Sequence, residues 1–580
     1  MAEAQSVPDN PMTNREIVSA LEEIAFLLEL AGENPFKSRS YENAARTFGM
    51  LEDDIETLVK EGRLREIPGI GDAIEKKVGE LVTTGHLKYL DELREKFPST
   101  LFELFSIPGL GAKRVRTLYE ELGIRSLGEL EYAIHENRLF TLKGFGLKMQ
   151  EKVLDGIAFA QKQRGLHLFH VAALEAERLR NRLAEEPSVQ RIAVAGSLRR
   201  RKEVIKDIDL VASSTDPEAL MERFVSAEGV ASVTVRGDTK TSVVLATGIP
   251  ADLRVVTDEQ FPYALHYSTG SKEHNVAMRH RAKEHGLKLN EYGLFRGDEN
   301  LLCKDETELF ARLGLPFIPP ELREDMGEMQ AERMPRLVER GDLLGVYHCH
   351  TVYSDGVALI AQMAEGAIER GYSYIVIADH SQSAGYAGGL APQAVAKQQR
   401  EIDALNATMK EFRILKSVES DIKSDGSLDY EDSLLARFDL VIASVHSRLT
   451  MTEEEATARL VKAIENPYTT ILGHPTGRLL LARPGYPVDM GKIIDACAAN
   501  RVAIEINASP HRFDLDWRHV KHAKDKGVKL SLGVDAHSVE GMDDIEFGLG
   551  IARKGWLEPE DLLNCMPAEE IIAWQQSKRA

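Results

Sequence analysis

The sequence predicts a multidomain protein with three fold classes in series: an all-α N-terminal region, an α+β middle and a C-terminal α/β domain. Three changes of rhythm predict this. Over 13–159 apolar residues recur every three or four positions, as at Ile17, Leu21, Ile24 and Leu28, and Gly and Pro divide the stretch into short helices. From Val189 the pattern turns to Val- and Ile-rich runs between turn residues, so strands are expected at 191–197, 207–213, 230–236, 242–246 and 251–257. Beyond 342, runs at 374–378, 414–418, 440–444, 470–472, 502–506 and 529–533 alternate with helical segments, which implies a parallel sheet. Between these last two regions, 315–342 holds Pro316, Pro319, Pro320 and Pro335 among many charges and reads as a linker with short helices.

At about 150 residues per domain, 580 residues suggest roughly four domains. No apolar run approaches the ~20 residues of a membrane span, and residues 1–12 lack the basic and apolar regions of a secretory signal. Cys303, Cys349, Cys497 and Cys565 lie far apart, which argues against a disulfide framework or a thiolate zinc site. A cytoplasmic protein is expected. The net charge of −20 discourages a nucleic-acid partner, but residues 101–200 carry 16 Lys+Arg against 12 Asp+Glu. Phosphate binding depends on local cations, so the acidic total weighs little.

In the helical third one pattern occurs three times: Ile67-Pro-Gly69-Ile-Gly71, Ile107-Pro-Gly109-Leu-Gly111 and Leu142-Lys-Gly144-Phe-Gly146, each leading into a helix start with Lys or Arg. The glycines let the backbone turn tightly and leave its N–H groups open at a helix N-terminus, where a phosphate can bind. A plain helix–helix turn explains any one copy. Three copies beside basic residues favour a grip on DNA backbone that reads no sequence, and they resemble the helix-hairpin-helix element of DNA repair proteins.

In the strand third, Gly196 and Ser197 precede Arg199, Arg200 and Arg201, a combination suited to a triphosphate. Asp207 and Asp209 follow on a strand, where positions i and i+2 share a face, and Asp252 opens a later strand. Three such carboxylates can hold two Mg²⁺ ions for in-line phosphoryl transfer.

This set resembles the nucleotidyltransferase fold, and its surroundings resemble the family X DNA polymerases related to DNA polymerase beta. Tyr267, Ser268, Thr269, Gly270 and Ser271, followed by Asn275, are similar to that family's minor-groove and nucleotide-contact segment, with Ser268 where Phe is usual. The resemblance implies catalytic roles for Asp207, Asp209 and Asp252, and nucleotide contacts from Gly196, Ser197, Arg200, Tyr267, Gly270 and Asn275. Lys206 stands where the family often has Gly, as an extra cation that could touch the nucleotide. The stretch 290–295 resembles the end of the thumb. Lys37 and Tyr41, with Lys77, align with the small domain that binds a 5′ phosphate; in relatives the lysine at the Lys77 position forms a Schiff base with an abasic sugar. Asn43 and Ala73 replace lysines common there.

Of the 17 histidines, nine follow residue 342, and six of them fall at the ends of expected strands together with three carboxylates. The nine positions are His348, His350, Asp355, His380, Glu419, His446, His474, Asp535 and His537. In a barrel of parallel strands the carboxyl ends converge on one face, and His with carboxylate but no Cys suits Zn²⁺, Mn²⁺ or Fe²⁺. The pattern resembles the polymerase and histidinol phosphatase (PHP) domain, a distorted α/β barrel with a three-metal phosphoesterase centre. Tyr347 departs from the Asp-Leu-His entry common in that family. In bacterial family X relatives this domain supplies a 3′→5′ exonuclease.

The expected protein is therefore a repair-type, template-directed DNA polymerase with a metal-dependent nuclease behind it. Its domains are expected at 1–90 (5′-phosphate and lyase-like), 91–165 (helix-hairpin-helix fingers), 166–260 (palm), 261–315 (thumb), 316–342 (linker) and 343–580 (PHP). Two Mg²⁺ or Mn²⁺ would serve the polymerase site and up to three Mn²⁺, Zn²⁺ or Fe²⁺ the PHP site. Gapped or nicked DNA and deoxynucleoside triphosphates are the expected partners of a cytoplasmic, nucleoid-associated monomer with no membrane contact. Three alternatives stay open: a purely structural PHP metal site, a non-DNA nucleotidyltransferase fused to a phosphatase, and a DNA-end scaffold with a degenerate centre.

Overall fold

The computed structural model describes residues 14–579 except 50, 52–54, 98–100, 106, 136–138, 140, 141, 143, 164, 238, 482 and 483. Residues 1–12 and Lys143 of the third hairpin thus lie outside the described residues. The chain divides into two units, Met1–Arg164 and Gly165–Ala580.

The first unit is helical. Its core takes Ile17, Leu21, Ile24 and Leu28 from α1 (Asn14–Leu30) and Tyr41, Ala44, Ala45 and Phe48 from α2 (Pro35–Gly49), the apolar stripe that the spacing predicts. Helices α3 (Asp72–Thr84) and α4 (Ala112–Leu122) begin at Gly71 and Gly111 and end at the left-handed Gly85 and Gly123. Helix α5 (Leu147–Gln163) follows the third hairpin.

In the second unit, α6 (Phe169–Ala184) packs on a five-stranded palm sheet. Its strands are β1 (Val189–Val194), β2 (Ile208–Ser214), β3 (Val230–Arg236), β4 (Lys240–Leu245) and β5 (Pro250–Val256). Their order is β1-β2-β5-β4-β3, with β2 and β5 parallel and the other pairs antiparallel. Ile208, Leu210 and Ala212 of β2 enter the core shared with α6, whereas Val211 packs with Phe261, Ala264 and Leu265 on the other face. The strand expected over 191–197 stops at Val194, and α7 (Gly196–Arg199) makes a single helical turn. Gly196 adopts φ +63°, and a Cβ there would lie 2.1 Å from Oδ2 of Asp209. That position tolerates only glycine, and the left-handed residue ends the strand.

The thumb contains α8 (Phe261–Thr269), α9 (Lys272–Glu284), a three-stranded antiparallel sheet over 288–300 and α10 (Glu306–Arg312). Its core includes Tyr263, Met278, Leu294 and Phe310, joined by Leu315, Ile318, Leu322 and Leu337. The segment 316–342 is therefore packed structure, unlike the expected linker. Composition misled because its charges are partnered: buried Arg323 meets Glu306 at 2.5 Å and donates to the Ile318 carbonyl, and buried Glu328 meets His274 at 2.8 Å.

The C-terminal domain is an eight-stranded, all-parallel sheet: β6 (Gly345–Cys349), β7 (Tyr374–Ile377), β8 (Arg413–Lys416), β9 (Glu419–Asp421), β10 (Ile442–Ser444), β11 (Ile471–Leu472), β12 (Ala503–Asn507) and β13 (Leu530–Ala536). The order is β8-β7-β6-β13-β12-β11-β10-β9. Its two outermost strands, β8 and β9, are consecutive parts of one stretch. Ser417 donates to the Ile377 carbonyl on one side and Ile442 donates to the Val418 carbonyl on the other, so the sheet curls round as a distorted barrel. The β6 strand was not among the runs expected from the sequence. The barrel and palm share one continuous hydrophobic core, with Phe169 against Phe547 at 6.1 Å. Among the described residues no helix is long and apolar enough to cross a membrane.

Candidate active sites

Parallel pairing sets Asp209 of β2 directly opposite Asp252 of β5, and Asp207 stands just before β2. The three carboxylates line one cleft of about 400 Å³ together with Gly196, Ser197, Arg200, Tyr267, Gly270 and Asn275, so all nine residues expected at the polymerase site meet. Lys206 is exposed and is not among the lining residues. The sequence reading missed Lys240, Arg254, Lys272 and Arg279, which also line the cleft. Lys240 lies 2.6 Å from Oδ2 of Asp252, brought there by the antiparallel β4–β5 register. Burial, then the neighbouring Asp207 and Asp252 charges, push the Asp209 carboxyl up to about 7. Like charges crowded in a partly dehydrated cleft suit divalent cations, which would relieve this repulsion.

In the barrel, the nine expected ligand residues converge at the carboxyl ends of the strands. Glu419 is fully buried at their centre: His380 lies 2.9 Å away, His474 2.9 Å, His446 3.1 Å and His348 3.3 Å. His350 lies 3.3 Å from Asp535, and His537 3.3 Å from Asp355. Three groups are close enough to hold a cation each: His350, Asp355, His380 and His537; His348, His350 and Asp535; His380, Glu419 and His446. His474 is outside these groups but touches Glu419. His348, His474 and Asp535 adopt positive φ of 61°, 22° and 53°, backbone that non-glycine residues rarely hold without functional cause.

The chemistry of this donor set fits metal ions. Both ring nitrogens of His350 and Nε2 of His348 are buried without a hydrogen bond, and such atoms are costly unless something binds them. Burial opposes ionisation of Glu419, yet His446 and His348 hold its carboxyl well below the usual range. Burial likewise opposes charge on His380 and His446, but Asp355 and Glu419 carry His380 up to about 10, and Glu419 and Asp421 carry His446 up to about 9. The sequence reading also missed the residues that orient these ligands. Glu505 accepts from His348 Nδ1 at 2.6 Å and from the His474 amide at 2.7 Å, Asp421 pairs with His446 Nδ1, and Asn507 donates to Asp535 at 3.1 Å.

In the helical unit, Lys77 Nζ lies 4.4 Å from the Tyr89 ring centre and 5.9 Å from that of Tyr41, and Lys37 Nζ lies 5.5 Å from the Tyr89 ring. The expected Lys37, Tyr41 and Lys77 thus gather around Tyr89, which the sequence reading did not name. Gly69, Gly109 and Gly144 take φ of +89°, +94° and +94°, as tight turns require. A Cβ at Gly71, Gly111 or Gly146 would meet nothing within 4 Å. Among the described residues of the unit, none demands glycine there.

Comparison with known proteins matches four stretches of the chain and one relative along nearly all of it. Family models match as the DNA polymerase beta thumb over 264–324, a Helix-hairpin-helix domain over 12–87, a SAM-like Helix-hairpin-helix tandem over 101–158 and a PHP domain over 347–509. The DNA polymerase/3′-5′ exonuclease PolX of Bacillus subtilis (strain 168) is 38% identical across 97% of this chain and 99% of its own length. The chain belongs to the PolX family of DNA polymerases. A DNA polymerase lambda of Arabidopsis thaliana is 26% identical over 56% of the chain and 64% of that protein. A Thermoanaerobacter sp. (strain X514) protein named "Probable phosphatase" is 29% identical over 37% of the chain and 88% of its own length. The PHP match ends at 509, yet Asp535 and His537 close the same cluster from β13.

Proposed function

We propose that this PolX chain is a repair-type, template-directed DNA polymerase that fills short gaps, with a C-terminal 3′→5′ exonuclease or phosphoesterase. The observation that carries the reading is the β2–β5 register, which unites Asp207, Asp209 and Asp252 in one cleft with Ser197 and Arg200. In this reading Asp207 and Asp209 would hold both Mg²⁺ or Mn²⁺ ions, and Asp252 would hold the catalytic one and help the primer 3′-hydroxyl lose its proton. Ser197, Arg200 and the Gly196 backbone receive the triphosphate, while Tyr267, Gly270 and Asn275 flank the sugar and base. In the barrel the nine His and carboxylate residues hold up to three Mn²⁺, Zn²⁺ or Fe²⁺. Bound divalent ions would supply charge neutralisation and an activated oxygen nucleophile at both sites.

Gapped or nicked DNA and deoxynucleoside triphosphates are the substrates in this reading. The hairpin glycines support the first: bare backbone at a helix N-terminus admits a phosphate that a side chain would keep away. Lys37 and Tyr41 receive a 5′ phosphate, and Lys77 is the candidate lyase amine. The domain limits expected from the sequence are retained, except that the thumb continues through 316–342. The protein is proposed to act as a monomer in the cytoplasm, at the nucleoid. A gapped-duplex assay with and without nucleotides, in Mg²⁺ and in Mn²⁺, tests the whole reading: extension with nucleotides and 3′→5′ shortening without them are expected. Absence of extension would reject the polymerase assignment.

A further inference from the structure

Where palm, thumb and barrel meet, one carboxylate faces three cations. Glu324 Oε1 lies 3.0 Å from Nε of Arg200 and 2.6 Å from Nζ of Lys554, and its Oε2 lies 3.4 Å from Nζ of Lys202. Lys554 ends α11 (Ile545–Lys554), a barrel helix, and its side chain is fully buried. Besides Glu324, its ammonium donates to the carbonyl of Arg200 at 2.9 Å and of Glu321 at 3.3 Å, so all three protons are engaged. The ring of Trp517 covers Lys554 at 4.3 Å and Lys202 at 4.9 Å, and Trp517 Nε1 donates to Glu203 of the palm at 2.9 Å. A lysine is seldom buried so completely unless its charge is needed where it sits.

Arg200 is the member of this cluster that reaches the polymerase cleft, where its guanidinium also donates to the Thr269 carbonyl beside Gly270. It shares a single carboxylate oxygen with Lys554. An arginine fork binds carboxylate and phosphate by the same geometry, so Glu324 and a triphosphate compete for it. Lys554 weakens that competitor. It also leaves three cations against one carboxylate beside a site for a polyanion. Burial pushes the Lys554 ammonium down to about 8, Glu324 opposing this and Lys202 and Arg200 adding to it, so it stays charged at neutral pH.

We propose that Lys554 of the barrel is a positioning residue for the palm cleft: by sharing the Glu324 oxygen that Arg200 contacts, it weakens that contact so that Arg200 can exchange it for the triphosphate of the incoming nucleotide. The inference rests on the polymerase reading, and Lys554 lies outside both the thumb match, which ends at 324, and the PHP match, which ends at 509.

The test uses the full chain carrying Lys554→Met, Lys554→Gln or Lys554→Met with Glu324→Gln, assayed on a gapped duplex. Either single variant should raise the nucleotide KM about tenfold with kcat within about twofold, the effect of weakening one charged phosphate contact. The double variant, which removes the competitor as well, should return KM to within about threefold of wild type. Degradation in Mn²⁺ without nucleotide should be unaffected, which reports that the barrel is folded. The Gln variant retains a hydrogen bond to Glu324 and decides the matter should the Met variant not fold. An unchanged KM, or a double variant worse than the single, would overturn the proposal and leave Lys554 as mere packing. Failure of the wild type to incorporate nucleotides would instead overturn the polymerase reading, and this inference with it.

Discussion

Replacing Asp209 with Asn removes the central charge of the palm cleft at nearly constant size, and it should do two opposite things. Incorporation should fall by about 10³-fold or more, because a cation ligand and its transition-state stabilisation of several kcal/mol are lost. The metal-free protein should become more stable above neutrality. The Asp209 carboxyl stands at about 7, raised first by burial and then by Asp207 and Asp252, against an ordinary value near ~3.9. The folded state therefore holds this proton more tightly than the unfolded chain. As pH rises from about 4 to 7 the unfolded chain ionises first, so folded stability declines through that window and levels off above it. The gap corresponds to about 4 kcal/mol at most. Hydration through the open cleft reduces this, so Asn should recover roughly 1–2 kcal/mol at pH 8 and almost none at pH 4. Calorimetric melting without divalent ions, at both pH values, reads the effect as a rise of about 2 °C at pH 8 only. Adding Mg²⁺ should raise the wild-type midpoint more than the variant's. An Asn variant that incorporates nucleotides near the wild-type rate, or melts below wild type at pH 8 without metal, would refute the reasoning.

Other outcomes follow from the same geometry. His350→Ala or Asp535→Ala should abolish 3′→5′ degradation in Mn²⁺ while gap extension survives; degradation that persists in Asp535→Ala but vanishes in Asp209→Asn would place the nuclease in the palm. Gapped DNA with a 5′ phosphate should bind several-fold tighter than DNA with a 5′ hydroxyl at equal salt, a preference that Lys37→Ala should erase; equal affinities in the wild type would count against the 5′-phosphate site. Gly111→Ala should weaken duplex binding several-fold yet shift the melting midpoint by no more than about 1 °C, since its φ of −75° is ordinary and the added methyl meets nothing within the unit; unchanged binding would remove the hairpin from the DNA surface.

What the sequence revealed about these sites was whatever its local order encodes. Asp207 and Asp209 share a strand face by the two-residue period, and the histidines gather because parallel strands deliver their carboxyl ends to one side. Contacts set by register between distant strands were not legible. Lys240 reaches Asp252 only because β4 pairs antiparallel with β5, and Glu505 orients both His348 and His474 from a strand that carries none of the nine expected ligands. The β6 strand was hidden by its own chemistry, since Tyr347, His348 and Cys349 read as a metal motif before they read as a strand. Composition failed at 316–342 for a related reason. Prolines and charges normally mark solvated chain, but here Arg323 and Glu328 carry their partners into the core.

The two sites solve the same electrostatic problem differently. The palm gathers three carboxylates with Lys240 on only one of them, and the residual repulsion falls on Asp209. Such a site is destabilising until cations arrive, which ties its assembly to metal and to the nucleotide that accompanies it. The barrel interleaves histidines with Glu419, Asp355 and Asp535, so that protons on His380 and His446 can neutralise the carboxylates when metal is absent. Cations entering the barrel must displace those protons, and cations entering the palm must displace the proton that Asp209 holds near neutrality as well as relieve like-charge repulsion. His348, His474 and Asp535 of the barrel hold positive φ, a backbone conformation that non-glycine residues keep only where the surrounding structure imposes it.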